Sequence, residues 1–564
     1  MGKLRVDQKG TAMSTAKKKV ALLSNIMADL ISARLRRQYE VLLPEGYDTW
    51  VQEVLNPQST LFGENPDAAV VLLDGTEARS WKDAEEAADR IGQWKNALTA
   101  LLGRMNAAPV FVSTVDVRGN RIRALAEPDW RTEAQAGWHR FVFEQAEKAG
   151  NLYVFDLADT IAEMGRRQFY SNKMWYMSSM PYSRDGMAAV CREIGRALGA
   201  AFSPRRKVIA LDLDNTLWGG VIGEDGVEGI ELSDHKEGQR FYDFQRQLLE
   251  MKKRGIVLAV NSKNNPEDAE AAIQGHPAML LRDGDFACRR INWQDKAENL
   301  KAMEQELNIS EGGFVFIDDN PVERETVRGA CPEALVPEFP ADTAELLPFA
   351  EELWMDECLP LRVLGEDLER TQMYRNEALR RQEMTESLNL DDYLTRLEMT
   401  ADIHRMRPEE LERVAQLCGK TNQFNVTTRR RTAAEISALA EGPDSSVWTV
   451  HAADKYGDSG LISVLILRRE GEDIAIDTFL MSCRVMGRRL EEVILNELAA
   501  HYVGKGRLLG EFIPTAKNVP VRDLYDRLGF EKTAEDGGHK HYALSLADYR
   551  KKDIACYREI RFQP

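Results

Sequence analysis

Short apolar runs alternate with long amphipathic stretches along this chain, and their spacing divides it. Val20–Ser24, Ala68–Leu73 and Pro109–Ser113 are apolar runs of strand length, and Trp81–Leu102 between them has helical periodicity. Strands separated by helices predict an α/β fold. After the basic punctuation Pro204-Arg205-Arg206-Lys207, a second unit opens on Val208–Leu213 and continues through Val257–Asn261 and Gly313–Ile317. Helical segments lie between these runs, as a parallel doubly wound sheet requires. From about Pro348 to Leu397, Leu, Glu and Arg recur at helical spacing, which reads as a helical connector. A third α/β pattern begins at Met399, with strands expected at Thr400–Met406, Ser446–Ala452, Gly460–Arg468 and Asp473–Ser482 and a helix from about Arg488 to Val503. The expected organisation is a polar leader at 1–18, with Met13 an alternative start, then α/β units at 19–203, 204–347 and 398–564, with the connector at 348–397. No repeat of fixed period appears, which argues against a solenoid or propeller.

Composition narrows the class. A chain of 564 residues is too long for one hydrophobic core. Its 91 acidic against 74 basic side chains give a net charge of -17, which repels a polyanion and argues against nucleic-acid binding as a general function. The seven cysteines are scattered from Cys191 to Cys556 without a CxxC pair, the usage of a reducing cytoplasm. Lys17, Lys18 and Lys19 before Val20–Leu23 imitate a secretory signal, but Asn25 and Asp29 interrupt the apolar run too early. No stretch reaches the roughly 20 apolar residues that cross a bilayer, so a cytoplasmic protein without membrane contact is expected.

The strongest chemical signal lies in the second unit. Asp212-Leu-Asp214-Asn-Thr216 falls where an apolar strand runs into a loop, the ligand-binding end of an open α/β sheet. Of two carboxylates so spaced, one can attack phosphorus while the other protonates the leaving oxygen and then activates water. A second acidic pair, Asp318-Asp319, ends the run Phe314–Ile317 and offers hard oxygen ligands to Mg²⁺. Ser262 at another strand end and Lys296 near a helix start would supply a hydroxyl donor and a positive charge to phosphoryl oxygens. A lone DxD is as readily a solvated loop or Asx-turn, but four elements in order point to a Mg²⁺-dependent phosphoryl-handling enzyme.

That order resembles the haloacid dehalogenase superfamily. Three longer strings, Asp212-Leu-Asp-Asn-Thr-Leu-Trp-Gly-Gly-Val-Ile-Gly-Glu-Asp-Gly226, Asn261-Ser-Lys-Asn-Asn265 and Phe316-Ile-Asp-Asp-Asn-Pro-Val-Glu-Arg324, resemble the FkbH-like proteins, a capless branch of it. Lys420-Thr-Asn-Gln-Phe-Asn-Val-Thr-Thr-Arg429 and Ser482-Cys-Arg-Val-Met-Gly487 extend the likeness into the third unit. The resemblance implies removal of phosphate from 1,3-bisphosphoglycerate, a small phosphorylated three-carbon acid. It also implies transfer of the glyceryl group to the phosphopantetheine thiol of an acyl carrier protein, as in polyketide biosynthesis. It casts Asp212 as nucleophile, Asp214 as acid/base, and Thr216, Ser262 and Lys296 as phosphate-binding. Asp212, Asp318 and the backbone carbonyl of Asp214 become the Mg²⁺ ligands, with Asp319 behind them.

In the third unit, strand Asp473–Ser482 followed by Arg484-Val-Met-Gly487 and a helix resembles the acyl-CoA site of the GCN5-related acetyltransferase fold. Arg489 stands where that family has a small residue, so a carrier-bound pantetheine touching Arg484, Gly487 and Arg488 replaces acetyl-CoA as the implied ligand. By its residue type alone Cys483 is a core cysteine; beside three arginines and a helix start it also fits a reactive thiolate, and the resemblance makes it the acyl acceptor. The other six cysteines read as structural. Gly419-Lys420-Thr421 is no P-loop, because Val414 occupies the first glycine position. Arg429-Arg430-Arg431 reads as a solvated basic face or a docking point for an acidic carrier. His404, His451, His501, His539 and His541 show no ligand spacing, so zinc is not expected.

The first unit, through Ala21-Leu-Leu-Ser24-Asn25, Asn65-Pro-Asp67 and Met180-Pro-Tyr-Ser-Arg-Asp-Gly186, resembles an SGNH-hydrolase-like domain with Ser24 at the nucleophile position. No histidine lies between His139 and His235 to serve as base, so a degenerate structural or docking domain is expected. Two rivals to glyceryl transfer stay open: a simple Mg²⁺-dependent phosphatase with a vestigial third unit, and a non-catalytic carrier-docking scaffold.

Overall fold

The computed structural model describes residues 17–118, 122, 124–126, 129–363 and 370–564, excluding the side chains at 370, 378, 382, 385, 420 and 483. Most of the expected leader and Met13 lie outside that set. Three sheets organise the chain.

The first sheet is parallel, with β1 (Lys19–Ser24), β2 (Glu40–Leu42), β3 (Ala68–Leu72), β4 (Val110–Ser113) and β5 (Leu152–Phe155) in the order β2-β1-β3-β4-β5. Continuous apolar runs suit it, because both faces of β1 and β3 are buried against helices. The helix Ala84–Met105 starts three residues after the expected Trp81, where Asp83 accepts the amides of Glu85 and Glu86 as an N-cap.

The second sheet is also parallel, with β6 (Val208–Leu211), β7 (Val257–Ser262), β8 (Phe286–Ile291) and β9 (Phe314–Ile317) in the order β8-β7-β6-β9. Central β6 ends two residues before the expected Leu213, which puts Asp212 and Leu213 just past the strand end. β7 and β9 flank it in register, Leu211 facing both Val260 and Ile317. The carboxyl ends of all three strands therefore meet at one edge.

Among its described residues the expected connector at 348–397 is mostly helical, but it is not a passive spacer. Leu346, Ala350, Leu353 and Cys358 pack into the core of the second sheet. Helix Arg370–Glu386 then bridges two units. Arg375 bonds the carbonyl and carboxylate of Asp283, just before β8, at 2.6 and 3.0 Å. From the same helix, Arg380 grips Asp454 of the third sheet in a two-bond fork at 2.7 and 2.9 Å.

The third sheet contains β10 (Met399–Arg405), β11 (Ser445–Asp454), β12 (Gly457–Glu470), β13 (Asp473–Met481), β14 (Arg507–Phe512), β15 (Glu531–Asp536), β16 (His539–Ser545) and β17 (Tyr557–Gln563). Their order is β15-β16-β14-β13-β12-β11-β10-β17, antiparallel except for the pairs β13–β14 and β10–β17. β13 and β14 stay in register only at Ile474–Leu508 and Ala475–Leu509. Beyond that point Phe424–Val426 closes the gap: Val426 donates to the Phe479 carbonyl, Met481 to that of Phe424, and Ile513 to that of Val426. Among the described residues, no helix is long and apolar enough to cross a membrane.

Candidate active site at the carboxyl edge of the second sheet

Asp212 leaves β6 with its amide still bonded to the Ile317 carbonyl at 2.9 Å, so its side chain stands over the edge between β6 and β9. Asp318 follows the last residue of β9, and Lys296 opens the helix Lys296–Leu307, capped by Asp295. The Lys296 ammonium lies 3.0 Å from Asp212 Oδ1 and 2.6 Å from Asp318 Oδ2, and its side chain is only 3% exposed. Asn261, buried at the end of β7, holds that helix start by donating to the Lys296 carbonyl at 2.8 Å, and Asn299 in turn donates to Asn261.

Burial is the largest influence on these groups. It pushes Asp212 up to about 6 against the pull of Lys296, with the Asp318 charge adding to the rise. Asp318 and Asp319 are raised as well, again chiefly by burial. Lys296 moves above its usual range because the two carboxylates outweigh its own desolvation. The Ser262 hydroxyl at the end of β7 favours the charged form of Asp212, against the effect of burial. Carboxylate oxygens of Asp212, Asp318 and Asp319 all lie within 4.8 Å of one another, an all-oxygen donor set that suits a hard divalent cation. Asp319 thus stands in the cluster itself rather than behind it.

Asp214 points elsewhere. Its Oδ1 accepts from Trp218 Nε1 at 2.9 Å and the Ile222 amide at 3.0 Å, and its Oδ2 from Asn264 Nδ2 at 2.9 Å. Asn215, directly after Asp214, has a φ of +54°, a left-handed turn that starts the loop leading away from the strand end. Thr216 is fully buried and its hydroxyl has no hydrogen-bond partner among the described residues.

Two supporting residues escaped assignment from sequence, although both sit in the strings quoted above. Asn264 ties Asp214 to the β7 loop, and Arg324 donates to the carbonyls of Asp318 and Asp319 at 2.9 and 2.7 Å, fixing the turn that presents both acids.

Several residues singled out in the third unit behave differently from expectation. Gly487 adopts φ +79° at the turn before the helix Leu490–His501, and Arg484 is exposed beside a cavity of about 340 Å³ that Leu307 and Asn308 also line. Arg488 is not available for a carrier: it is buried, bonded to Asp454 at 3.0 Å and to the Arg484 carbonyl at 2.9 Å. The Arg429–Arg431 triplet is engaged within its own unit, although Arg430 stays exposed. Arg429 and Arg431 pair with Asp477, and Arg430 caps the carbonyls of Cys418 and Gly419. Cys483 begins a single helical turn, Cys483–Val485, and its side chain lies outside the described residues. In the first unit Ser24 is buried at the end of β1 and accepts the Ile26 amide at 3.2 Å.

No protein-family model matches the chain, and neither does any curated protein. Among solved structures the chain is similar to the N-terminal part of the protein BF1531 from Bacteroides fragilis, described as containing a phosphatase domain complexed with Mg. The identity is 26% over 61% of this chain and 95% of that one, with a TM-score of 0.57. It is also similar to the ribosomal-protein-S18-alanine N-acetyltransferase from Escherichia coli, with 12% identity over 27% of this chain and 99% of that one and a TM-score of 0.21. A putative acetyltransferase of the GNAT family from Desulfovibrio desulfuricans gives 18% identity over 26% and 99%, also at a TM-score of 0.21. At that score neither acetyltransferase bears on fold or function.

Proposed function

We propose that this protein is a Mg²⁺-dependent enzyme of phosphoryl chemistry that acts on 1,3-bisphosphoglycerate and passes the glyceryl group through Cys483 to a pantetheinylated acyl carrier protein. The observation that carries the phosphoryl half is the convergence of Asp212, Asp318 and Asp319 around one buried lysine. The likeness to a phosphatase domain complexed with Mg supports it. The acyl half rests on the sequence strings around Cys483.

Asp212, Asp318 and Asp319 would hold Mg²⁺, which offsets the repulsion between their charges and a phosphate. Lys296, paired with Asp212, orients its carboxylate, and Lys296 and Ser262 would face the phosphoryl oxygens. An oxygen of Asp212 attacks phosphorus, the bond to the leaving oxygen breaks, and Asp214 gives that oxygen a proton. Asp214 then takes a proton from water as it attacks the aspartyl phosphate, releasing phosphate and restoring Asp212. Among the described residues Asp214 Oδ2 accepts only the Asn264 bond, so its second lone pair is the position that carries the proton. At the other centre the Cys483 thiolate attacks the acyl carbon and expels phosphate, forming a thioester. The carrier's thiol gives its proton to solvent and attacks the acyl carbon, the new thioester forms, and the Cys483 thiolate leaves.

Intact-mass analysis of enzyme, Mg²⁺, 1,3-bisphosphoglycerate and a pantetheinylated carrier tests both halves. The expected result is one hydroxylamine-labile glyceryl unit on the enzyme and then on the carrier, lost in Cys483→Ser with phosphate release at Asp212 retained. Steady phosphate release with no acyl adduct would reduce the protein to a phosphatase. No Mg²⁺-dependent release at all would leave a docking scaffold.

A further inference from the structure

The third sheet holds a second cluster of ligating side chains, far in sequence from the acidic edge. In the antiparallel pair β10–β11, Asp402 lies opposite His451 and His404 opposite Thr449. Asp402 and His404 are two apart on β10, so with their partners they share one face of the sheet. The turn Pro408–Glu410, five residues on, brings a carboxylate down onto that face. Spacing of 404, 410 and 451 gives no hint of this meeting, which strand pairing alone creates.

We propose that His404, Glu410 and His451 form a binding site for a divalent transition-metal ion such as Zn²⁺. The three donors are individually oriented for it. Glu410 Oε2 is occupied, accepting the Arg407 amide at 2.8 Å and the Thr449 hydroxyl at 3.0 Å. That leaves Oε1 turned to both imidazoles, 2.7 Å from His451 Nε2 and 3.6 Å from His404 Nε2. His404 Nδ1 lies 2.9 Å from the Arg405 carbonyl, which can only accept, so Nδ1 keeps the hydrogen and the Nε2 lone pair faces Oε1. A backbone carbonyl fixing the distal nitrogen is how proteins orient metal-bound histidines.

The spacing also fits. Bonds of about 2.0–2.1 Å place ligands of a tetrahedral zinc about 3.3 Å apart, between the two distances seen. One ligand atom from each of the three residues lies within 4.8 Å of the others. His404 is almost wholly buried, whereas His451 is a third exposed and borders a cavity of about 280 Å³, which leaves a fourth position open to water. Asp402 lines the same cavity with a buried Oδ1 that has no hydrogen-bond partner among the described residues, an acceptor placed for such a water. Two imidazoles and one carboxylate favour a borderline transition metal over Mg²⁺ or Ca²⁺, which take oxygen ligands. The donor set therefore differs in kind from that of Asp212, Asp318 and Asp319.

The test uses the full chain stripped by a chelator, with Asp318→Asn as background to silence the oxygen site. Titration with Co²⁺ is expected to give one equivalent with the strong visible absorption of a four- or five-coordinate ion, displaced by Zn²⁺. His451→Gln should abolish that absorption and weaken Zn²⁺ binding at least about tenfold, with an unchanged circular dichroism spectrum. X-ray absorption of the zinc-loaded Asp318→Asn chain, which needs no further substitution, should show two imidazole nitrogens. Binding and absorption untouched by His451→Gln, or a zinc shell of oxygens alone, would overturn the site and leave the trio as a hydrogen-bond network.

Discussion

At the carboxyl edge of the first sheet Ser24 accepts an amide two residues on, and Asn25 forms a two-bond bridge with the Asp74 backbone at 2.9 Å each way. At the same edge of the second sheet, Asp212, Asp318 and Lys296 come from three separate elements to meet within 3.0 Å. Acids lie near the first edge too. Burial raises both Asp74 and Glu77, the latter to about 7, but the cation beside Glu77 is Arg90, 4.0 Å away and more than a third exposed. His139, the nearest histidine in sequence to that unit's catalytic expectation, is engaged by the backbone of Val115. Polar groups satisfied by their own neighbours stabilise a loop, whereas charges drawn from distant elements into a dry site incur desolvation, and such costs concentrate where chemistry is done.

The contrast breaks first at Asp212. Asp212→Asn should lower Mg²⁺-dependent phosphate release by at least about 10³-fold, because an amide neither attacks phosphorus nor ligates as a carboxylate does. A rate within tenfold of the parent would end the comparison. Asp214→Asn should slow release by about 10²–10⁴-fold, the span of a positioned acid/base, read from single-turnover rates.

Lys296→Met probes the cost of the buried charges. It should destabilise the chain by about 3 kcal/mol at pH 8 in chelator, measured by urea unfolding, since it leaves two carboxylates uncompensated. The pH dependence follows from Asp212, whose folded value of about 6 lies above its ordinary 3.8. The folded state then binds the extra proton across that window, so stability falls as pH rises through it. Without Lys296 the window should move upward, and the deficit should shrink as the solution is made acidic. An unchanged profile would show that lysine and carboxylates are not coupled. Ser24→Ala should be the mildest change, below about 1 kcal/mol and without effect on phosphate release, as for a single local hydrogen bond.

The acidic edge was legible because apolar runs that stop at carboxylates are rare and the parallel sheet gathers their ends. β8 was not, since Arg289, Arg290 and Ile291 are half exposed and break the apolar pattern at that sheet edge. The segment from about Pro348 reads as connector because its leucines keep helical spacing, yet Ala350, Leu353 and Cys358 pack into the second core. The partners of Arg488, Arg429 and Arg431, namely Asp454 and Asp477, lie 34 to 48 residues away and so were hidden from sequence. The direction of Asp214 could not be read either, since it depends on Asn264, 50 residues on.

The side chain of Asp454 is fully buried and shared between Arg380 of the bridging helix and Arg488 at the head of the helix after β13, with Glu377 near both cations. Two positive and two negative groups make that knot neutral, and pulling out any one leaves a stranded charge worth several kcal/mol. Because the same bridging helix is pinned through Arg375 to Asp283, mechanical load applied to the third sheet is delivered to the acidic edge's own domain. The two halves of the proposed reaction therefore sit on a common chassis, and heat should melt them as one body rather than in sequence.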